Sequence, residues 1–102
     1  MPTYLASYDL EETNPDPHST FLEQSRKHGW EYWILSSTNV WYRLPNTTLV
    51  GTFASMSTAE QALEATRAAT ASAIGRPVNM EKWIIAEYSQ ARFNSDVRQQ
   101  KQ

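Results

Sequence analysis

The chain has no cysteine, only three glycines and only two histidines. Each scarcity removes a class of chemistry. Without cysteine there is no disulfide framework, no thiolate nucleophile and no zinc ribbon, a pattern that fits a reducing compartment. Three glycines cannot build a Gly-rich phosphate loop. His18 and His28 have no Ser or Asp neighbour in a recognisable triad spacing, no nucleophile elbow is present, and two histidines argue against a His-rich metal site. The N-terminal Met1-Pro2-Thr3-Tyr4 lacks a basic segment leading into an apolar run, and no apolar stretch approaches a membrane span. The expectation is a soluble, cytoplasmic protein with no membrane association. A net charge of −2 provides no overall positive field to steer the chain to nucleic acid.

What is present fits one small domain. The 102 residues are 40% hydrophobic and 12% aromatic, with four Trp and five Tyr, enough for a packed sheet and too apolar for a chain disordered throughout. Thr3 to Leu10 reads as a strand. Tyr4, Ala6, Tyr8 and Leu10 alternate with Leu5, Ser7 and Asp9, so both faces are apolar until Asp9, and the strand is expected to be central. Asp9 is then either a carboxylate held at a sheet rim for chemistry or the first polar residue of the following loop.

After a polar loop, Asp16 is placed to cap a helix and Pro17 to occupy its first turn, giving a helix from about Pro17 to His28 with Phe21, Leu22 and Ser25 on one face. Gly29 supplies the stop. From Trp30 the chain turns aromatic and β-branched. The segment through Leu44 reads as one long bent arm of a hairpin, interrupted at residues 36–39, whose second arm is Thr47 to Phe53. Gly51 in that arm implies a close neighbour, a backbone or a Trp ring. Ser57-Thr58-Ala59-Glu60 matches a capping box and opens a helix reaching about Ile74, with an Ala-rich face suited to a sheet. Gly75-Arg76-Pro77 ends it. Glu81 to Tyr88 is a further strand, expected beside the first. Residues 1–90 form the domain, and residues 91–102 are expected to be a polar, frayed tail.

The order strand, helix, strand, strand, helix, strand predicts an α+β, ferredoxin-like βαββαβ sandwich, with both helices on one face of an antiparallel sheet and the first and third strands central. The other sheet face is left bare. An apolar bare face is economically covered by a second copy, so a homodimer is expected.

The opening Tyr8-Asp9-Leu10 strand end, the Gly29-Trp30 step, the Thr47-Thr48-Leu49-Val50 strand and the helix from Ser57 resemble the small SinR-like proteins. These are relatives of the CRISPR-associated endoribonuclease-like superfamily, to which virulence-associated protein D toxins are also related. The likeness covers roughly residues 3–88. It implies a homodimeric ferredoxin-like fold in which the aspartate ending the first strand faces its twofold mate and holds a divalent metal, Mg2+ or Mn2+, for phosphodiester cleavage. That catalytic and metal-binding role maps onto Asp9 alone. Glu11 and Glu12, beside it, would repel phosphate unless a metal intervenes.

Three functions follow. One is a non-catalytic homodimeric scaffold or interaction protein of prokaryotic defence or toxin–antitoxin type, anchored on a partner through Trp30, Tyr32, Trp33, Trp41 and Tyr42 or using these residues as its own core. A second is a metal-dependent nuclease with Asp9 at the dimer interface, Ser7 or Tyr8 as neighbours, and Arg43, Arg26 and Lys27 as candidate nucleic-acid contacts. Arg26 and Lys27 serve equally as partners of the helix dipole. The third is a dimeric α/β-barrel enzyme acting on a small molecule, which would require His18 or His28 with Trp41 and Asn46 around a cavity. An RNA-recognition domain shares the element order, but Leu49 to Phe53 lacks the basic residue and aromatic pair of its central strand.

Overall fold

The computed structural model describes residues 1–100 and gives an α+β chain of two helices and seven strands in two antiparallel sheets. The elements are β1 (Thr3–Leu10), α1 (His18–Lys27), β2 (Trp30–Glu31), β3 (Trp33–Leu35), β4 (Val40–Arg43), β5 (Thr48–Thr52), α2 (Met56–Ile74), β6 (Met80–Tyr88) and β7 (Arg98–Gln100). The larger sheet has the order β2-β5-β1-β6, which puts β1 and β5 in the middle and β6 beside β1, as their patterns predict. In register, Leu5 faces Val50 on one side and Ala86 on the other, and Ser7 lies between Thr48 and Ile84.

Alternation along β1 sorts its side chains. Tyr4, Ala6, Tyr8 and Leu10 are buried and form one cluster with Phe21 of α1, Ala59 and Leu63 of α2, and Trp30, Leu49, Phe53 and Val78. Thr66 and Thr70 are also fully buried on α2, and each hydroxyl donates to the carbonyl four residues back, at 2.8 and 2.7 Å. Burial of these polar atoms is thereby satisfied within the helix. Pro17, with helical φ and ψ, flanks α1 and makes no side-chain cap, while Asp16 Oδ1, one position earlier, accepts the His18 N–H at 3.0 Å. Gly29, at φ +92°, carries the chain away from that helix.

Three expectations need correction. The cap of α2 is Ser55, whose hydroxyl accepts the Thr58 N–H at 3.1 Å; the helix is already under way at Ser57, so the capping-box spacing is coincidental. The aromatic segment is not one bent arm. Only Trp30 and Glu31 join the larger sheet, whereas β3 and β4 pair with each other across a turn at residues 36–39 in which Asn39 adopts φ +64°. The tail is not wholly frayed, because β7 pairs with β4 and completes the smaller sheet, of order β3-β4-β7. Arg98 stacks over the Tyr42 ring at 5.0 Å, Phe93 meets Tyr42 edge-on at 5.5 Å, and Val97 O accepts the Arg43 N–H at 3.0 Å. Backbone pairing and these aromatic contacts need no apolar run in the tail itself. Residues 101–102 of the expected tail lie outside the described residues.

The sheet face opposite the main cluster is therefore only partly bare. Ile34, Leu44 and residues 91–94 lie across Leu5, Thr48 and Val50, enclosing a mainly apolar cavity of about 300 Å³. The chain folds back over half of the face that a second copy was expected to cover. No helix among the described residues is long and apolar enough to cross a membrane.

Candidate functional site

The part of this face left open is centred on the far end of β1. Ser7 and Asp9 point to it from β1, and their register partners Ile84 and Lys82 point to it from β6. Together with Tyr8 and Trp83 they line a shallow depression of about 180 Å³. The register slips between Asp9 and Leu10, where Glu81 is the extra residue on β6, and Asp9 lies outward by the alternation along β1. Asp9 and Lys82 are both exposed. Ile84 stands 62% exposed between them and the covered half of the sheet, and Trp83 on the same strand is 46% exposed. Beyond β6 the sheet has no further strand among the described residues.

This geometry decides what Asp9 can do within one chain. Its nearest formal charge across the ladder is a cation, Lys82, and no group of three or more His, Asp or Glu side chains suited to a metal occurs among the described residues. A hard divalent ion requires several oxygen ligands. Asp9 alone does not supply those ligands within one chain, and the site the resemblance implies needs the Asp9 of a twofold mate as well. Of the two expected neighbours, Ser7 shares the Asp9 face, whereas the Tyr8 ring is turned into the core against Phe21, with centroids 4.6 Å apart.

The aromatic set separates into different environments. Trp30 is 1% exposed and stacks on Phe53 at 4.8 Å, so it is a core residue with no surface for a partner. Its indole N–H has no hydrogen-bond partner among the described residues. Trp33 and Trp41 are half-buried along a groove of about 410 Å³ between the two sheets. Tyr32 is flanked by two guanidinium groups, Arg26 and Arg43, each 4.5 Å from its ring centroid. Arg26 is further held by Glu31, Nε to Oε1 at 3.0 Å. The expected cations Arg26 and Arg43 are thus brought together around one ring, and Lys27 is exposed in the last turn of α1. Of the residues suggested for a small-molecule site, His18 and Asn46 line one cavity, but His28 and Trp41 do not: the His28 ring is hydrogen-bonded to Gln24 O at 2.8 Å.

Lys82 and Ile84 were not singled out from the sequence. Their strand was recognisable, but only its register against β1 puts them opposite Asp9 and Ser7. The signal lay in Ile85, which packs against the core and thereby turns Lys82, Ile84 and Ala86 outward. Comparison with known proteins finds no matching family model, no matching curated protein and no matching solved structure, so the site is read from its own geometry.

Proposed function

We propose that the chain is a ferredoxin-like homodimeric interaction module, a scaffold of the defence or toxin–antitoxin type that its likeness to the SinR-like proteins implies, and that it self-associates through the open strip of Ser7, Asp9, Lys82 and Ile84. The observation that carries this reading is Ile84, an isoleucine 62% exposed at the centre of a strip bearing one carboxylate and one ammonium. The ferredoxin-like assignment is supported by the antiparallel order β2-β5-β1-β6 with α1 and α2 contributing to one cluster with β1.

A twofold contact on this strip sets each Asp9 against its mate's Lys82. The patch is then complementary to itself, as an isologous interface requires. Pairing edge to edge along β6 is disfavoured by Glu81, Lys82 and Glu87, which guard the strand with charge. A stable contact buries about 800 Å² on each partner. Ala86 and Tyr88, which follow Ile84 on the same face of β6, extend the strip toward that size.

Sedimentation velocity over a range of protein concentrations tests the reading. The expected result is a dimer for the native chain and a monomer for Ile84→Asp, with unchanged circular dichroism. A native chain that stays monomeric at the highest concentration overturns it. Dimerisation that appears only on adding Mg2+ would replace the Asp9–Lys82 pairing with two carboxylates sharing a metal.

A further inference from the structure

On the other side of β1 lies a cavity of about 340 Å³ that the dimerisation reading does not use. It is lined by Tyr8, His18, Leu22, Arg43, Asn46 and Thr47. Three separate segments supply its polar groups: the end of β1, the first turn of α1, and the link from β4 to β5. We propose that this cavity binds the phosphate group of a small phosphate ester, with Arg43 as its counter-charge, the Tyr8 hydroxyl as a donor and Nε2 of His18 as a further polar contact.

Tyr8 is the first observation. The residue is 3% exposed and its ring is packed on Phe21, yet it lines the cavity, and its hydroxyl is not among the buried unpartnered atoms and takes part in no side-chain hydrogen bond among the described residues. The ring is thus held by the core while the hydroxyl is left to the cavity. A ligand oxygen there supplies an acceptor for it. Burial pushes this phenol up to about 12 against the opposing pull of Arg43, so it is a neutral O–H donor at physiological pH.

Arg43 is the second. Its guanidinium has no carboxylate partner among the described residues; Nη1 donates to the carbonyls of Tyr32 and Leu44 at 3.3 and 3.5 Å, and the group rests on the Tyr32 ring. Those contacts hold the fork in place and leave its remaining N–H groups free. A planar fork without a counter-ion suits an oxyanion, and phosphate above all.

His18 is the third. Asp16 Oδ1 takes both its backbone N–H, at 3.0 Å, and its ring Nδ1, at 2.6 Å, which leaves Nε2 as the only nitrogen available to a ligand; with the Nδ1 proton committed to the carboxylate, Nε2 donates in the imidazolium form and accepts from a phosphate hydroxyl in the neutral one. The loop that carries Asp16 is itself pinned, since Arg76 donates to Asn14 O at 2.6 Å and Thr13 to Pro15 O at 2.8 Å. Asp16 thus acts through His18, as a positioning residue. The N-terminus of α1 adds its positive end to the same side. The volume exceeds what a bare phosphate fills and lies at the lower end of ligand pockets, about 300 to 1,000 Å³, so an ester with a small organic group is the fitting class. Leu22 provides apolar surface for that group.

The test is titration of the full chain with inorganic phosphate and, separately, ribose 5-phosphate, followed by amide chemical shifts and calorimetry. The expected result is saturable shifts at residues 8, 18, 43 and 46, with the ester binding more tightly than phosphate. Tyr8→Phe keeps the ring and its packing and is expected to weaken binding roughly tenfold, the effect of one hydrogen bond to a charged group. Asn46→Ala, at an exposed loop position, gives a second reading independent of the core. Shifts that never saturate, or an affinity unchanged in both variants, would overturn the proposal. Acetate competing as well as phosphate would also overturn it, by showing a carboxylate site.

Discussion

The carbonyl oxygen of Gly29 lies 2.8 Å from where a β-carbon on Gly51 would stand, and the Trp30 ring lies 3.1 Å from the same point. The strand is glycine there because the Gly29 carbonyl and the Trp30 ring of the neighbouring strand β2, with the Phe53 ring, leave no room for a β-carbon. Gly51→Ala must displace a backbone carbonyl as well as the Phe53 ring, 2.6 Å away, so it is expected to destabilise the chain by about 1 to 3 kcal/mol, as overpacking of a core does. Gly75 gives a contrast. A β-carbon there meets nothing within 4 Å, and only its φ of +73° resists substitution, so Gly75→Ala should cost about 1 kcal/mol. Urea unfolding of both variants ranks the two; equal losses would refute the steric account of Gly51.

Ser55 and Ser57 both precede the apolar face of α2, but only Ser55 has its hydroxyl on an N–H of the first turn. Ser55→Ala is expected to lower stability by about 1 kcal/mol, and Ser57→Ala by less than about 0.5 kcal/mol. Thermal unfolding of the two variants settles which serine is the cap. A larger loss at Ser57 would restore the capping box.

The start of α2 shows where the sequence stops being legible. Serines at 55 and 57 satisfy the same preference, and spacing to Glu60 favours the wrong one; only backbone geometry distinguishes them. By contrast, β1, α1, α2 and β6 were readable because each carries one clear period and a punctuating residue such as Asp16, Gly29 or Gly75. The segment from Trp30 to Leu44 has aromatic residues at nearly every position, so its alternation does not say which sheet a residue joins. Trp30 and Trp33 accordingly end in different sheets. Arg98–Gln100 was invisible as a strand because its partner β4 is remote in sequence and its side chains are all exposed. The same limit holds for the sites. Asp9 could be placed at a strand end, but its opposition to Lys82 depends on register, and the meeting of Tyr8, His18 and Arg43 depends on three segments converging.

Tyr8 should also govern stability at high pH. Its folded pKa of about 12 lies above the ordinary phenol value of 10.0, so the neutral form is favoured by folding. The stabilisation is complete below pH 10 and is lost as pH rises through 12, because the unfolded chain releases this proton first. The loss is on the order of 2 kcal/mol across that window. Urea unfolding between pH 9 and pH 12 should show the decline in the native chain and a flatter profile in Tyr8→Phe. Identical profiles would mean that the phenol is not held neutral by burial.

The pairing of Asp9 with Lys82 of a second copy is open to a charge exchange. Asp9→Lys alone places two ammonium groups on each half of the contact, and Lys82→Asp alone places two carboxylates, so each single variant is expected to be monomeric. Combining them restores one charge of each sign with the positions reversed, and the double variant should recover the dimer. Cross-strand pairing within one chain contributes only about 0.2 to 1 kcal/mol, so neither single change should unfold the monomer. If instead Asp9 served only to open the loop toward Glu11, Asp9→Lys would leave association intact, and the double variant would show no recovery because nothing had been lost. Sedimentation of the four proteins at low ionic strength separates these outcomes. Added salt should weaken the native and double-variant dimers alike, because both rest on exposed opposite charges around Ile84.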